Sequence, residues 1–256
     1  MDDNFKLYAK YYNLLYQDKN YNAEVEYLIT LFKRYKPDTK SILEFGSGTG
    51  NHGLILQNKG YHVLGIERSK GMIDKAIEKG LNCKLADITD FSVSEKFDAV
   101  ISMFHVISYL NDNGSLIAAF KNANKQLNSE GLFIFDVWYS PAVYEQKALP
   151  RIKKMKNDEI SVTRIAEPDI NVNRDLIDVK FTILAKDLLN NNYSEFVENH
   201  PMRHFSIPEI ELLAEMTGFQ VLKAEEFLTG KITSVDSWGV CFILKKKMLN
   251  GIRISK

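Results

Sequence analysis

The sequence predicts a doubly wound α/β domain: a mostly parallel, seven-stranded sheet interrupted by an antiparallel β insertion after its fifth strand. Three observations carry this. From Ser41 onward, short apolar runs alternate with helix-period segments, the pattern of a parallel sheet covered by helices on both faces. After Pro141 the alternation stops, and β-branched runs separated by Asn and Asp clusters fill about 151 to 205 before it resumes. The 256 residues suffice for one such domain with an insertion.

Each element has its own signal. Apolar runs predict strands over 41–45, 61–66, 82–86, 97–102 and 131–137, with helices over 51–59, 69–79 and 113–128. Ser69 and Gly80 stand where an N-cap and a C-cap belong. Within the insertion the runs IKKM, EISVTRIA, DLIDVKFTIL and YSEFVENH predict antiparallel strands. A helix over 207–216 then opens at Ser206 with Pro208 in its first turn, and strands follow over 219–227 and 238–245. Residues 37–148 and 206–247 thus form the sheet domain and 149–205 the insertion. Residues 1–36, with Tyr8, Tyr11, Tyr12, Tyr16 and Tyr21, form a helical cap. Ligands of doubly wound sheets bind at the carboxyl ends of the strands, so an insertion after strand five is placed to act as a lid.

Composition excludes several functions. With 33 basic and 33 acidic residues, the chain has no overall field to attract nucleic acid. The basic cluster at Lys245 to Lys247, Arg253 and Lys256 reads as a solvated end. The N-terminal MDDNFKLYAK lacks a signal-peptide pattern, and no apolar run approaches the roughly 20 residues of a membrane span. The expectation is a cytoplasmic protein without a membrane or nucleic-acid partner, with a homodimer as an open assembly state. Cys83 and Cys241 lack disulfide or zinc-ligand spacing and are expected to be buried strand residues; no metal site is predicted.

The stretch SILEFGSGTGNHGLILQNKGYHVLGIE carries the chemistry. A strand meets Gly46, Gly48 and Gly50, a helix follows, and the next strand ends on Glu67. Glycines let backbone approach a ligand, and a carboxylate there can accept both ribose hydroxyls. Gly48, Gly50 and Gly53 also satisfy GxGxxG, so a nicotinamide-dependent oxidoreductase is an alternative. Glu44, the GSGTG spacing and Asp87 after strand three favour S-adenosylmethionine. The ordered motifs LEFGSGTG, GIERS, LADITDF and FDAVISMFHVISYL resemble class I S-adenosylmethionine-dependent methyltransferases, which have a Rossmann-like fold. The resemblance implies that Glu44, Gly46, Ser47 and Gly48 form the methionine side of the site. Glu67 and Arg68 would meet the ribose, and Asp87 and Ile88 the adenine. The segment Ser102 to His105, with Ser102 and Met103 as cofactor contacts, would lie along the sulfonium, and the product would be S-adenosylhomocysteine.

A narrower resemblance runs through YYNLLYQDKNY, SMFHVISYL, DVWYSP and the stretch from HPMRHFS to DSWGVCF. It is to amino-sugar N,N-dimethyltransferases acting on nucleotide-linked sugars. It implies a sugar contact at Tyr12; a family histidine falls on Tyr109, and a family arginine falls around Trp238. Methyl transfer to a neutral amine needs positioning and no metal. A base helps when the acceptor arrives protonated or is a hydroxyl. His105, Tyr109 and Tyr12 are the catalytic candidates, with Trp138, His200, Trp238 and again Tyr12 for the substrate; His204 could also reach in. The reading is methyl transfer to a small molecule, with an amine on a sugar favoured. The alternatives are an O-methyltransferase and a non-catalytic cofactor-binding module.

Overall fold

The computed structural model describes residues 14–248. Tyr8, Tyr11, Tyr12, Arg253 and Lys256 lie outside the described residues. The main sheet has the order β10-β11-β5-β4-β1-β2-β3. Its parallel part comprises β1 (Ser41–Phe45), β2 (His62–Glu67), β3 (Cys83–Leu85), β4 (Phe97–Ser102) and β5 (Leu127–Trp138). β11 (Gly239–Lys246) runs antiparallel to both β5 and β10 (Phe219–Glu226). Helices cover both faces, as near-continuous apolar strands require. On one face Leu43, Phe45, Phe133 and Phe135 pack with α4 (Asn113–Gln126) and α6 (Ile207–Met216). On the other, Ile42, Ile101 and Ile134 meet α1 (Tyr21–Tyr35), α2 (Asn51–Asn58) and α3 (Lys70–Glu78).

The four β-branched runs between 151 and 205 form one antiparallel sheet, β6 (Arg151–Lys156), β7 (Ile160–Asn171), β8 (Leu176–Asp187) and β9 (Tyr193–Arg203). Asp175 and Asn191 take positive φ in the turns, as short polar side chains tolerate. Ala166 lies opposite Phe181, and Val179 lies opposite both Pro168 and His200. Because side chains alternate with period two, these residues and Arg164 share one face.

The local differences from expectation have physical causes. Helix α5 (Ser140–Gln146) is seven residues long, too short for its periodicity to register. Ser69 occupies the N-cap position of α3, but its hydroxyl makes no capping bond; its backbone N–H is drawn instead to Glu67 Oε1 at 2.8 Å. Cys241 is buried, whereas Cys83 is only half-buried, with Sγ 3.0 Å from Ser47 Oγ. Among the described residues no helix is long and apolar enough to cross a membrane.

Candidate active site

The carboxyl ends of β1, β2, β4 and β5 open into a cavity of about 620 Å³, within the usual range of small-molecule sites. Its first end is built from the glycine turn. Gly46 and Ser47 donate their N–H groups to the Ile66 carbonyl at 2.8 and 3.0 Å, which ties the turn to β2. Gly46 has φ +69°, and a Cβ there would lie 2.6 Å from Val106. Gly48, at φ +54°, has open space where its Cβ would be. Its N–H donates to Glu67 Oε2 at 2.9 Å while Ser69 N–H holds the other oxygen. Burial raises the Glu67 carboxyl above its ordinary range, and those two N–H donors offset only part of the rise. Asp87 Oδ1 accepts from the Thr89 N–H and hydroxyl at 2.9 and 2.7 Å, which fixes the side chain and leaves Oδ2 with acceptor capacity. Ile88 is buried beside it, and its carbonyl accepts from Asn122 at 2.9 Å.

The second end is aromatic and cationic. Phe104 and His105 follow β4 with φ of 65° and 61°, a costly conformation for side-chain-bearing residues. It places the His105 N–H 3.3 Å from Asp136 Oδ1, and Nδ1 lies 2.8 Å from Oδ2. Asp136 is 1% exposed at the end of β5. Burial pushes its carboxyl up, but the adjacent His105 outweighs this and holds it below the usual range. Trp138 stands 5.8 Å from the His105 ring and 5.9 Å from Trp238. The Tyr109 hydroxyl pairs with His200 Nδ1 at 2.9 Å, and His200 Nε2 lies 3.2 Å from Glu198. Arg164 stacks 4.8 Å over Phe181 and donates to the Tyr16 hydroxyl at 3.3 Å.

Most predicted residues converge on this cavity. Gly46, Ser47, Gly48, Glu67, Arg68, Asp87, Ile88 and Met103 line its first end, and His105, Tyr109, Trp138 and Trp238 its second. Three lie behind the wall instead. Ser102 is fully buried and donates to the Phe45 carbonyl at 3.2 Å. Glu44 is buried with Oε1 3.8 Å from His52 Nδ1, so it supports the turn from below. His200 is not among the lining residues and meets the wall through Tyr109. His204 is displaced further, fully buried against Ser140 Oγ at 2.8 Å, where it pins α5 to the end of β9. Tyr12 lies outside the described residues. Sequence reasoning missed Asp136, Arg164 and Phe181. Asp136 had a usable signal, a carboxylate at the carboxyl end of a central strand; the other two depend on register within the second sheet.

The first end fits a nucleoside sulfonium donor: open backbone beside Gly48, a fixed carboxylate able to accept from ribose hydroxyls, and an acceptor beside an apolar residue able to meet an adenine. The methyltransferase domain family matches residues 16–224. The chain belongs to this family. With the geometry of the first end, membership makes it an S-adenosylmethionine-dependent methyltransferase. Among curated relatives, the methyltransferase is 26% identical over 227 residues to dTDP-3-amino-3,4,6-trideoxy-alpha-D-glucopyranose N,N-dimethyltransferase of Streptomyces venezuelae, covering 87% of this chain and 92% of the relative. It is 27% identical to the putative methyltransferase YqeM of Bacillus subtilis, over 82% and 85% of the two chains. Among solved structures, an S-adenosylmethionine-dependent methyltransferase from Clostridium acetobutylicum superposes with a TM-score of 0.80 at 20% identity, covering 96% and 99%. Streptomyces venezuelae DesVI does so with 0.79 at 23%, covering 94% and 98%. These likenesses show the Rossmann-like fold.

Proposed function

We propose that the methyltransferase modifies an amine on a sugar or a similar small metabolite. The observation that carries this is a single cavity with two chemically unlike ends. The first binds the donor through backbone and carboxylates. The second offers the flat faces of Trp138 and Trp238, suited to the apolar side of a sugar ring, with Arg151 and Arg164 in the wall. No described carboxylate forms an ion pair with Arg164, so its guanidinium is available to an anionic substituent such as a phosphate. The Streptomyces venezuelae relative named for N,N-dimethylation of a dTDP-linked amino sugar supports the same acceptor class. S-adenosylmethionine, when bound, supplies a methyl group on a sulfonium. Gly48 and Glu67 fix where that donor lies, and Trp138 and Tyr109 wall the approach opposite.

In this reading residues 149–205 form the lid over the acceptor end and residues 1–36 the cap. The protein works in the cytoplasm on a small molecule, without nucleic acid, and light scattering distinguishes a homodimer from a monomer. Titration calorimetry tests the donor site. Glu67→Ala and Asp87→Ala each remove a fixed acceptor, so binding of S-adenosylmethionine should weaken roughly 10- to 100-fold, the equivalent of about 1.5–3 kcal/mol for a hydrogen bond to a charged group. Unchanged affinity in both variants contradicts the placement.

A further inference from the structure

We propose that His105 takes the proton from the acceptor amine and that Asp136 is the positioning residue that presents it. The inference rests on the amine reading above and goes beyond it by naming the atom that handles the proton. An acceptor amine that arrives as ammonium has no lone pair with which to attack until a proton is removed. A base in the cavity can take that proton.

The other imidazoles and carboxylates lining the cavity are committed elsewhere. Glu67 is held by the Gly48 and Ser69 N–H groups, and Asp87 by Thr89, both at the donor end. His52 has Nε2 2.6 Å from Glu24 Oε2 and Nδ1 3.8 Å from Glu44 Oε1, so both ring nitrogens face carboxylates. Tyr109 gives its hydroxyl to His200, and burial keeps the phenol proton on. His105 remains. Its Nδ1 lies 2.8 Å from Asp136 Oδ2, an ion-pair distance at an angle outside hydrogen-bond geometry, and its side chain is 19% exposed into the cavity.

The arrangement is built at a cost. Two successive non-glycine residues, Phe104 and His105, hold positive φ, each worth about 1–3 kcal/mol of strain. Asp136 is a carboxylate withdrawn from water, which folds tolerate against a specific partner. A carboxylate this close to Nδ1 favours the tautomer with the proton there and the lone pair on Nε2. In the step, one N–H bond of the ammonium breaks and Nε2–H forms. The freed nitrogen lone pair then makes the N–C bond to the methyl carbon as the C–S bond breaks, its electron pair remaining on sulfur. The product is a methylated ammonium. The imidazolium returns its proton to solvent, and a second methylation requires the same removal again.

Long-range proton–nitrogen NMR of histidine-labelled, ligand-free protein reads the tautomer directly, with His105→Gln assigning the signals. The expected result is a proton on Nδ1 and a bare Nε2 in the wild type. In Asp136→Asn the amide NH₂ replaces an acceptor, and the proton should move to Nε2. With dTDP-3-amino-3,6-dideoxyglucose, an acceptor named for a Streptomyces fradiae relative, both variants should lower kcat about 10²- to 10⁴-fold. KM and calorimetric binding of S-adenosylmethionine should hold, which also reports an intact fold. An Nε2–H tautomer in the wild type overturns the proposal, as does His105→Gln turnover within about threefold of wild type. Tight cofactor binding without turnover of any amine overturns the amine reading instead, and the tautomer then decides the dyad by itself.

Discussion

Glu44 shows how one residue can serve a ligand site without touching it. Burial, reinforced by the charge of Glu67, pushes its carboxyl up to about 8 from an ordinary 4.5. A native carboxyl raised in this way holds a proton that the unfolded chain has already lost. Its contribution to stability is therefore complete below about pH 4.5 and is lost as pH rises through about 8. Glu44→Gln keeps the outline and removes the titration. Urea midpoints of the variant and wild type should converge at acid pH and separate above pH 8, with the variant more stable; parallel curves would show that Glu44 is not the titrating group. Its place in the sequence, two residues before Gly46, marked it for the cofactor site, but not that it lies beneath the turn. That depends on Gly53, where a Cβ would come within 2.6 Å of its carboxylate.

At the scale of elements, local patterns were legible and pairings were not. The glycine turn, the caps and the four β-branched runs of the insertion announce themselves through composition and period. The Tyr109–His200 hydrogen bond joins residues 91 apart, and nothing local encodes it. It ties the short 3₁₀ turn Val106–Tyr109 to β9, so it couples the two sheets at the cavity wall. Tyr109→Phe removes the hydroxyl from this buried hydrogen bond, at about 1 kcal/mol. Hydrogen exchange should show faster opening of the β9 amides, with β1 and β4 unchanged; equal protection of β9 would mean that this link does not hold the second sheet. Arg164 illustrates the same limit, since only the β6–β7–β8 register turns its face towards the cavity.

For the molecule as a whole, the doubly wound sheet opens the cavity at its strand ends, and the second sheet lines its other end with aromatic and cationic side chains; in the function proposed above, the donor occupies the first and the acceptor the second. The fold and the first end of the cavity were legible in short-range sequence because a glycine turn and strand-end carboxylates are contiguous features. The aromatic and cationic end assembles from β5, β7, β8 and Trp238 just before β11, and its chemistry emerges only once they are brought together. The most direct measurement is mass spectrometry of dTDP-3-amino-3,6-dideoxyglucose incubated with the protein and S-adenosylmethionine. The expected result is acceptor carrying one and then two added methyl groups, with S-adenosylhomocysteine formed in step. Unmodified acceptor, across this and other amino sugars, from protein that binds the donor tightly would contradict the central claim.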